Sequence, residues 1–171
     1  PGARRLDRAL AVGAEVEDAA FGGDGALYAV SLWNGRHIQA LDWPTGERVE
    51  QRLVGPFNWS VQADPGQSRL WVPRFFEGQA LGFAEGSLEL VQRIRLPFGV
   101  RAARLDVERA RLWVSGAYAG ELVAIDLTDP SRRSRWALCG QGRALTLEPD
   151  GRALIATDCG AVDFLNQGHY W

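Results

Sequence analysis

The chain has 171 residues, of which 46% are hydrophobic and 23% charged, the balance of one ordinary globular domain. Its net charge of −2 gives no electrostatic reason to expect nucleic-acid binding, and no apolar stretch approaches the roughly 20 residues of a membrane helix. All 19 basic residues are Arg, which is typical of a GC-rich genome, so we expect a bacterial protein. The chain starts at Pro1 without a Met or a visible signal peptide, so we expect a processed or truncated product.

The first unit of predicted structure spans about 16–54 and contains four strand-like runs. They are "VEDAAF" from Val16, "ALYAVSL" from Ala26, an alternating run over 38–42, and "RVEQRLV" from Arg48. A Gly-Asp-Gly turn separates the first two runs, and Gly35 precedes the third. Such short runs between glycine turns predict an antiparallel sheet of four strands.

The same order of runs returns in 59–96, 100–139 and 142–166. The leucines of the second run, Leu27, Leu70, Leu112 and Leu154, are separated by 43, 42 and 42 residues. The second run of each unit is apolar at successive positions, which indicates burial on both faces. The fourth run, as in "LELVQRIRL" from Leu88, alternates apolar and polar residues, as a half-solvated outer edge does.

Four short strands every 42 residues or so, without a convincing helical stretch, are typical of a β-propeller. We therefore predict an all-β fold, a β-propeller of four-stranded antiparallel blades. The single domain covers 1–171 and holds four blades, at about 16–54, 59–96, 100–139 and 142–166.

The units resemble the YVTN-type β-propeller repeat, which has a Pro-Asp-Gly turn, Leu-Tyr-Val, a glycine turn and a strand ending in Ile-Asp. "EPDGRALIATD" and "ELVAIDL" are the most similar stretches, followed by "ALYAV" with "IQALD". The resemblance runs from about Val16 to Asn166 and implies architecture alone, since such propellers include enzymes, electron-transfer subunits and binding scaffolds. Family members generally have six to eight blades, whereas four are visible in this chain.

The two ends of the chain are complementary. Residues 4–12 place Leu6, Leu10 and Val12 on one face, as in an outer fourth strand, and the last unit lacks a fourth strand of its own. Pairing of the two would complete the last blade and close a four-bladed ring without an open edge. The alternative is a larger ring, completed by another chain or by a missing segment.

One face of the propeller is the expected binding face. In propellers of this strand order, the loop from strand four to strand one and the loop from strand two to strand three lie on the same face. Those loops carry Trp33, Phe76 and Tyr118 in three different blades, and aromatic residues dominate recognition surfaces. They are either a ligand-binding rim or caps over the hydrophobic layers between blades.

Four residues occupy equivalent positions near the channel end of the first strands: Glu17, Ser60, Arg101 and Arg143. Two arginines and a carboxylate at one mouth suit a small anionic ligand, because the guanidinium group matches carboxylate or phosphate geometry. The alternative is a solvated or mutually paired channel lining.

Residues that could support catalysis or bind a metal are few. His37 and His169 are the only histidines, and no Cys-x-x-Cys spacing occurs, so we expect no catalytic residues, no metal and no cofactor. Propellers similar to gluconolactonase hold a divalent cation at the channel mouth, where Glu17 and Asn58 would match two ligands. Arg101 and Arg143 would then stand where further ligands are needed, and positive charge disfavours a cation.

The two cysteines, Cys139 and Cys159, are predicted on the same face of adjacent blades. They form either a disulfide or two separate thiols. A disulfide would suit an oxidising compartment, so we expect a periplasmic or extracellular protein, with the cytoplasm left open.

The leading functional expectation is a non-catalytic binding or scaffold module that recognises a protein partner or a small anionic ligand on its loop face. No nucleic-acid partner and no membrane span are expected. The alternative is a lactonase-like propeller hydrolase, or a fragment of one.

Overall fold

The computed structural model describes residues 15–31, 36–43, 45–159 and, for the backbone alone, 162–165. These residues form fifteen β-strands, and none of them is helical. The strands are β1 Asp18–Phe21, β2 Leu27–Val30, β3 His37–Leu41, β4 Arg48–Leu53, β5 Gln62–Asp64, β6 Arg69–Arg74, β7 Gln79–Ala84, β8 Leu90–Arg95, β9 Val100–Asp106, β10 Arg111–Gly116, β11 Glu121–Asp126, β12 Arg133–Ala137, β13 Gly142–Leu147, β14 Ala153–Thr157 and β15 Val162–Leu165. In this part of the chain no helix is long and apolar enough to cross a membrane.

The strands form four antiparallel sheets in which each strand pairs with the next along the chain. Sheets 1, 2 and 3 contain β1–β4, β5–β8 and β9–β12, and sheet 4 contains β13–β15. Each sheet corresponds to one predicted unit. The predicted N-terminal strand at 4–12 lies outside the described residues, so its pairing with sheet 4 stays a prediction.

Consecutive sheets stack against each other through apolar layers. The first strands β1, β5, β9 and β13 are neighbours in that order, and an apolar cluster lies between each pair of sheets. The second strands β6 and β10 are buried on both faces, because sheets 2 and 3 lie in the middle of the stack: Leu70, Trp71 and Val72 of sheet 2 are all 0% exposed. In β14 of sheet 4, buried residues alternate with half-buried ones. No closed ring is detected among the described residues.

The outer strand β8 shows the alternation that the sequence predicts. Ile94 is 1% exposed while its neighbours Arg93 and Arg95 are exposed. Strand β4 differs, because all of its residues are exposed. Its Glu50 and Arg52 pair with Ala40 and Ile38, so they lie on the side of the sheet that faces sheet 2. Charged side chains are rarely buried, so this edge of the sheet stays exposed to solvent.

The leucines that mark the repeat do not all lie on the same face. Leu70 packs in the cluster between sheets 1 and 2, and Leu112 packs in the cluster between sheets 2 and 3. In sheet 4, Ala153 and Ile155 contact sheet 3, while Leu154 is on the opposite face. Ala153, and not Leu154, is therefore the structural equivalent of Leu112.

The length of the first turn explains this shift. In sheet 3, Leu105 pairs with Leu112 on the face toward sheet 2, which leaves six residues between them, whereas in sheet 4 Leu147 pairs with Ala153 on the face toward sheet 3 and leaves five. Because strand side chains alternate between faces, one residue fewer in the connection exchanges the faces of the strand that follows.

Candidate functional site

Six aromatic side chains from four loops meet on one side of sheets 2 and 3. Two loops join a fourth strand to a first strand, and two join a second strand to a third strand, which is the combination that the sequence predicts for one face. The residues, called here the aromatic loop face, are Phe57, Trp59, Phe75, Phe76, Phe98 and Tyr118.

The rings form a continuous network of contacts. Phe76 packs edge-on against Phe57, with ring centroids 4.6 Å apart, and against Phe75 at 4.8 Å. Phe75 contacts Tyr118 at 5.7 Å, and Tyr118 stacks on Phe98 at 5.7 Å. Edge-on and stacked pairs at these distances are favourable, so the rings hold each other in place.

Much of this network faces solvent. Phe76 is 46% exposed, Phe98 52% and Tyr118 64%, while Phe75 beneath them is 8% exposed. Contiguous exposed rings on a soluble domain mark interaction surfaces more often than scattered apolar residues do. Phe75 is buried against the other rings of the aromatic loop face, whereas Phe76, Phe98 and Tyr118 are open to contact with a ligand.

Backbone hydrogen bonds connect the four loops. The Phe75 N–H donates to the Phe57 carbonyl at 3.3 Å, the Gly99 N–H to the Phe75 carbonyl at 2.9 Å, and the Ala117 N–H to the Gly99 carbonyl at 2.7 Å. This ladder joins every loop of the aromatic loop face to the next. The surface is therefore held in place before a ligand arrives, which lowers the ordering cost of binding.

Two backbone positions in the ladder are unusual. Phe57 has a φ of 63°, in the left-handed region that disfavours a bulky side chain, and such strain concentrates at functional sites. Gly99 has a φ of 76°, and a Cβ at this position would lie 2.5 Å from Cδ2 of Tyr118. Glycine is required at position 99 both for the conformation and for the space that the Tyr118 ring occupies.

Arg101 adjoins the aromatic loop face. Its guanidinium carbon lies 5.1 Å from the centroid of the Trp59 ring, a cation–π contact. Ala102 pairs with Ser115 and Val100 with Gly116, so Arg101 is the extra residue of a β-bulge, a feature that redirects side chains near binding sites. Within the described part of the chain no carboxylate forms an ion pair with Arg101.

Arg143 occupies the equivalent bulge of sheet 4, between Gly142 and Ala144. Its Nη2 lies 3.1 Å from Oδ2 of Asp158, whose Oδ1 accepts the Gln141 N–H at 2.8 Å. Arg143 is thus paired locally, as the alternative interpretation of the channel residues held.

The other two channel residues also make local contacts. Ser60 is 3% exposed, and its hydroxyl accepts a hydrogen bond from Nε2 of Gln62 at 2.7 Å. Glu17 is exposed, and its N–H donates to the Val30 carbonyl. Among the described hydrogen bonds and ion pairs, none joins any two of Glu17, Ser60, Arg101 and Arg143.

Asn58 acts as a structural donor. It is 0% exposed, and its Nδ2 donates to the carbonyls of Gly55 at 2.6 Å and Ser31 at 3.4 Å. No group of three or more His, Cys, Asp or Glu residues that could hold a metal ion occurs in the described ranges. The predicted rim residue Trp33 lies outside them.

Sequence reasoning missed Phe57, Trp59 and Phe98 as members of the aromatic loop face. A signal for two of them is present, since Pro56-Phe57 and Pro97-Phe98 repeat the same dipeptide 41 residues apart. The dipeptide occurs each time in the loop from a fourth strand to a first strand.

The structure joins Cys139 and Cys159 in a disulfide, with Cα atoms 6.1 Å apart. It connects the loop after β12 of sheet 3 to the loop after β14 of sheet 4. The hydroxyl of Thr157 lies 3.1 Å from the Cys139 sulfur and 2.9 Å from the Cys159 sulfur. The bond therefore joins two neighbouring sheets on the side that carries the aromatic loop face.

No protein-family model matches the sequence, and no curated protein matches it. The chain is similar in structure to Kuenenia stuttgartiensis hydrazine synthase, with a TM-score of 0.75 and 15% identity over 96% of this chain and 49% of that one. It is also similar to dihydro-heme d1 dehydrogenase NirN in complex with DHE, with a TM-score of 0.73 and 19% identity over 91% of this chain and 36% of that one. Both have propeller-type folds.

The fold is that of a β-propeller. Each sheet is a blade, and the stacking of the first strands is the stacking of inner strands around a propeller axis. The chain spans half or less of the length of the solved structures that it resembles. At this level of identity the likeness shows the fold and not an activity.

Proposed function

We propose that this β-propeller is a non-catalytic binding module that recognises a protein or small ligand through its aromatic loop face. The observation that carries the proposal is the exposure of Phe76, Phe98 and Tyr118 on loops that backbone hydrogen bonds hold together. Hot spots of recognition are rich in aromatic and arginine side chains, and Arg101 lies beside this cluster.

The chemistry of the side chains supports binding over catalysis. The phenylalanine rings supply no nucleophile and no acid–base group, and Arg101 supplies a guanidinium group suited to binding an anion. We do not advance the lactonase-like hydrolase, because its two expected cation ligands lie in different environments: Asn58 is fully buried, whereas Glu17 is exposed.

We further propose that the blades are repeats of the YVTN type and that the protein works in the periplasm or outside the cell. The Pro149-Asp150-Gly151 turn supports the first proposal, and the cross-blade disulfide supports the second, because disulfides persist in oxidising compartments. Closure of a four-bladed ring by 4–12 stays a prediction. Variants Leu10→Cys and Val162→Cys, combined in a chain whose native cysteines are serines, test it by disulfide formation within one chain.

A comparison of two sets of exposed aromatic residues tests the binding function. The first variant combines Phe76→Ala, Phe98→Ala and Tyr118→Ala. The control combines Phe21→Ala and Trp43→Ala, an exposed pair outside the aromatic loop face whose ring centroids are 5.3 Å apart.

Immobilised wild-type protein captures binding molecules from a periplasmic extract, and each captured molecule is purified and titrated calorimetrically against the variants. We expect the first variant to bind at least about 100-fold more weakly, as hot-spot truncations do, and the control to bind like the wild type. Equal affinities for all three proteins would contradict the proposal.

A further inference from the structure

We propose, resting on the proposed function, that the occupant of the aromatic loop face is an extended protein segment that carries apolar side chains next to a carboxylate. The aromatic rings receive the apolar side chains, and Arg101 receives the carboxylate. The two halves of the proposal have separate structural support.

The exposed rings present an almost purely apolar surface. Phe76 and Phe98 carry no hydrogen-bonding group, and Tyr118 contributes a single hydroxyl. Sugars and nucleotides need several polar partners to replace the water that they lose on binding. Apolar and aromatic protein side chains need none, and each favourable aromatic contact adds about 0.5–1.5 kcal/mol beyond the buried area.

Arg101 supplies the charged half. Arg101 is half-buried, its guanidinium lies over the Trp59 ring, and no described carboxylate pairs with it. A guanidinium without a counter-charge favours a partner carboxylate, which it can bind through two parallel hydrogen bonds. Arg143 is not available to a ligand carboxylate in the same way, because it already forms an ion pair with Asp158.

The spacing of these groups indicates an extended ligand. From the Arg101 guanidinium, the contacts lead over Trp59 to Phe75 at 6.1 Å and on to Tyr118 at 5.7 Å. An extended segment advances about 3.3 Å per residue, so at most roughly five residues separate a group at Arg101 from a group at Tyr118. The groups belong to two sheets, which favours a chain segment over a compact small molecule.

The test measures the binding of fluorescein-labelled hexapeptides by fluorescence polarisation in low salt. One peptide alternates aspartate and phenylalanine. A second replaces aspartate with lysine, and a third replaces phenylalanine with alanine. The proteins are the wild type, Arg101→Gln, the triple variant at Phe76, Phe98 and Tyr118, and Arg104→Gln, which removes an exposed arginine from the same strand β9.

We expect the aspartate–phenylalanine peptide to bind the wild type at least about tenfold more tightly than either control peptide. Both Arg101→Gln and the triple variant should weaken that binding about tenfold or more, and Arg104→Gln should change it less than about twofold. Added salt should weaken binding to the wild type and have little effect on binding to Arg101→Gln.

Two results would overturn the inference while the proposed function stands. In the first, the lysine or the alanine peptide binds as well as the parent peptide. In the second, no peptide binds, while a captured non-peptide molecule still loses affinity for the triple variant. If neither peptides nor captured molecules distinguish the triple variant from the wild type, the proposed function fails as well.

Discussion

Gly99 shows how a single residue shapes the binding surface. Its φ is 76°, and the Tyr118 ring occupies the space that a Cβ would take. We expect Gly99→Ala to lower the free energy of unfolding by about 2–4 kcal/mol, through backbone strain and the clash with the ring. Urea unfolding followed by tryptophan fluorescence measures the loss.

Gly25→Ala is the matched control for this substitution. Gly25 has a φ of 83° but no atom within 4 Å of the position of a Cβ, so only the backbone term applies, at about 1 kcal/mol. If both alanine variants lose the same stability, the contact with the Tyr118 ring does not constrain position 99.

Asp126 provides a prediction on pH. The hydroxyl of Thr128 donates to its Oδ1 at 2.5 Å, and this bond, together with the N–H groups of Thr128 and Asp129, lowers the pKa of the Asp126 carboxyl. A lowered folded-state pKa stabilises the fold above the ordinary carboxyl value, and this stability is lost as the pH falls through the folded-state pKa.

Thr128→Ala removes the hydroxyl, so we expect the pKa of Asp126 to rise and the chain to lose less stability on acidification. A carboxyl titration by NMR, alongside unfolding at pH 7 and at acidic pH, follows both changes. An unchanged Asp126 pKa in the variant would show that the Thr128 hydroxyl does not contribute to the shift.

At the residue scale, the sequence predicted part of the site. Phe76 and Tyr118 could be placed, because they follow second strands whose ends the repeat defines. Phe57 and Phe98 were missed, since they lie in loops of irregular backbone where no strand period applies. The cation–π contact of Arg101 could not be predicted, because it depends on a bulge that redirects one side chain.

Between elements, Tyr28 is the clearest connection from one blade to the next. Its hydroxyl donates to Oδ2 of Asp24 at 2.6 Å and accepts the Gly86 N–H of blade 2 at 2.6 Å, with the side chain fully buried. Tyr28→Phe leaves both partners without this bond, so we expect a loss of about 1–3 kcal/mol in the free energy of unfolding.

Tyr118→Phe serves as the comparison. The Tyr118 side chain is 64% exposed, so its hydroxyl is accessible to water and its removal leaves no buried group without a hydrogen bond. Urea unfolding of both variants gives the difference. A loss for Tyr28→Phe no larger than that for Tyr118→Phe would mean that the bridge between blades adds nothing to stability.

The repeat period predicted the elements but not the faces of all of them. Every described strand overlaps a predicted run, because glycine turns and apolar runs are local features. The face of β14 depends on a difference of one residue in the connection before it, and the pairing partners that define this connection are not visible in the sequence. The repeat period gives only the spacing of strands along the chain, whereas the face on which a side chain lies depends on the pairing register between strands.

For the whole molecule, the bond between Cys139 and Cys159 gives the strongest prediction. It closes a loop with a sequence separation of 20, and cross-linking a loop of this length stabilises a fold by about 3 kcal/mol. We expect dithiothreitol, or the paired changes Cys139→Ser and Cys159→Ser, to lower the free energy of unfolding by about that amount.

Urea unfolding with and without reductant measures the effect, and the serine variant should no longer respond to reductant. Two free thiols titrated in the unfolded, unreduced protein would show that the bond does not form.

The propeller architecture itself was predictable, because it follows from the repeat. Ring closure was not predictable, because it depends on whether the strand at 4–12 pairs with the last blade or another segment does.

The hydrogen-bond ladder from Phe57 through Phe75 and Gly99 to Ala117 is made entirely of backbone atoms. Apart from Phe57 and Gly99, which both have positive φ, its geometry does not depend on which side chains the loops display. Mutations at Phe76, Phe98 or Tyr118 can therefore change what is recognised while the frame persists. Natural selection can vary the specificity of this surface independently of the fold, and a library randomised at these three positions should yield folded binders for new targets.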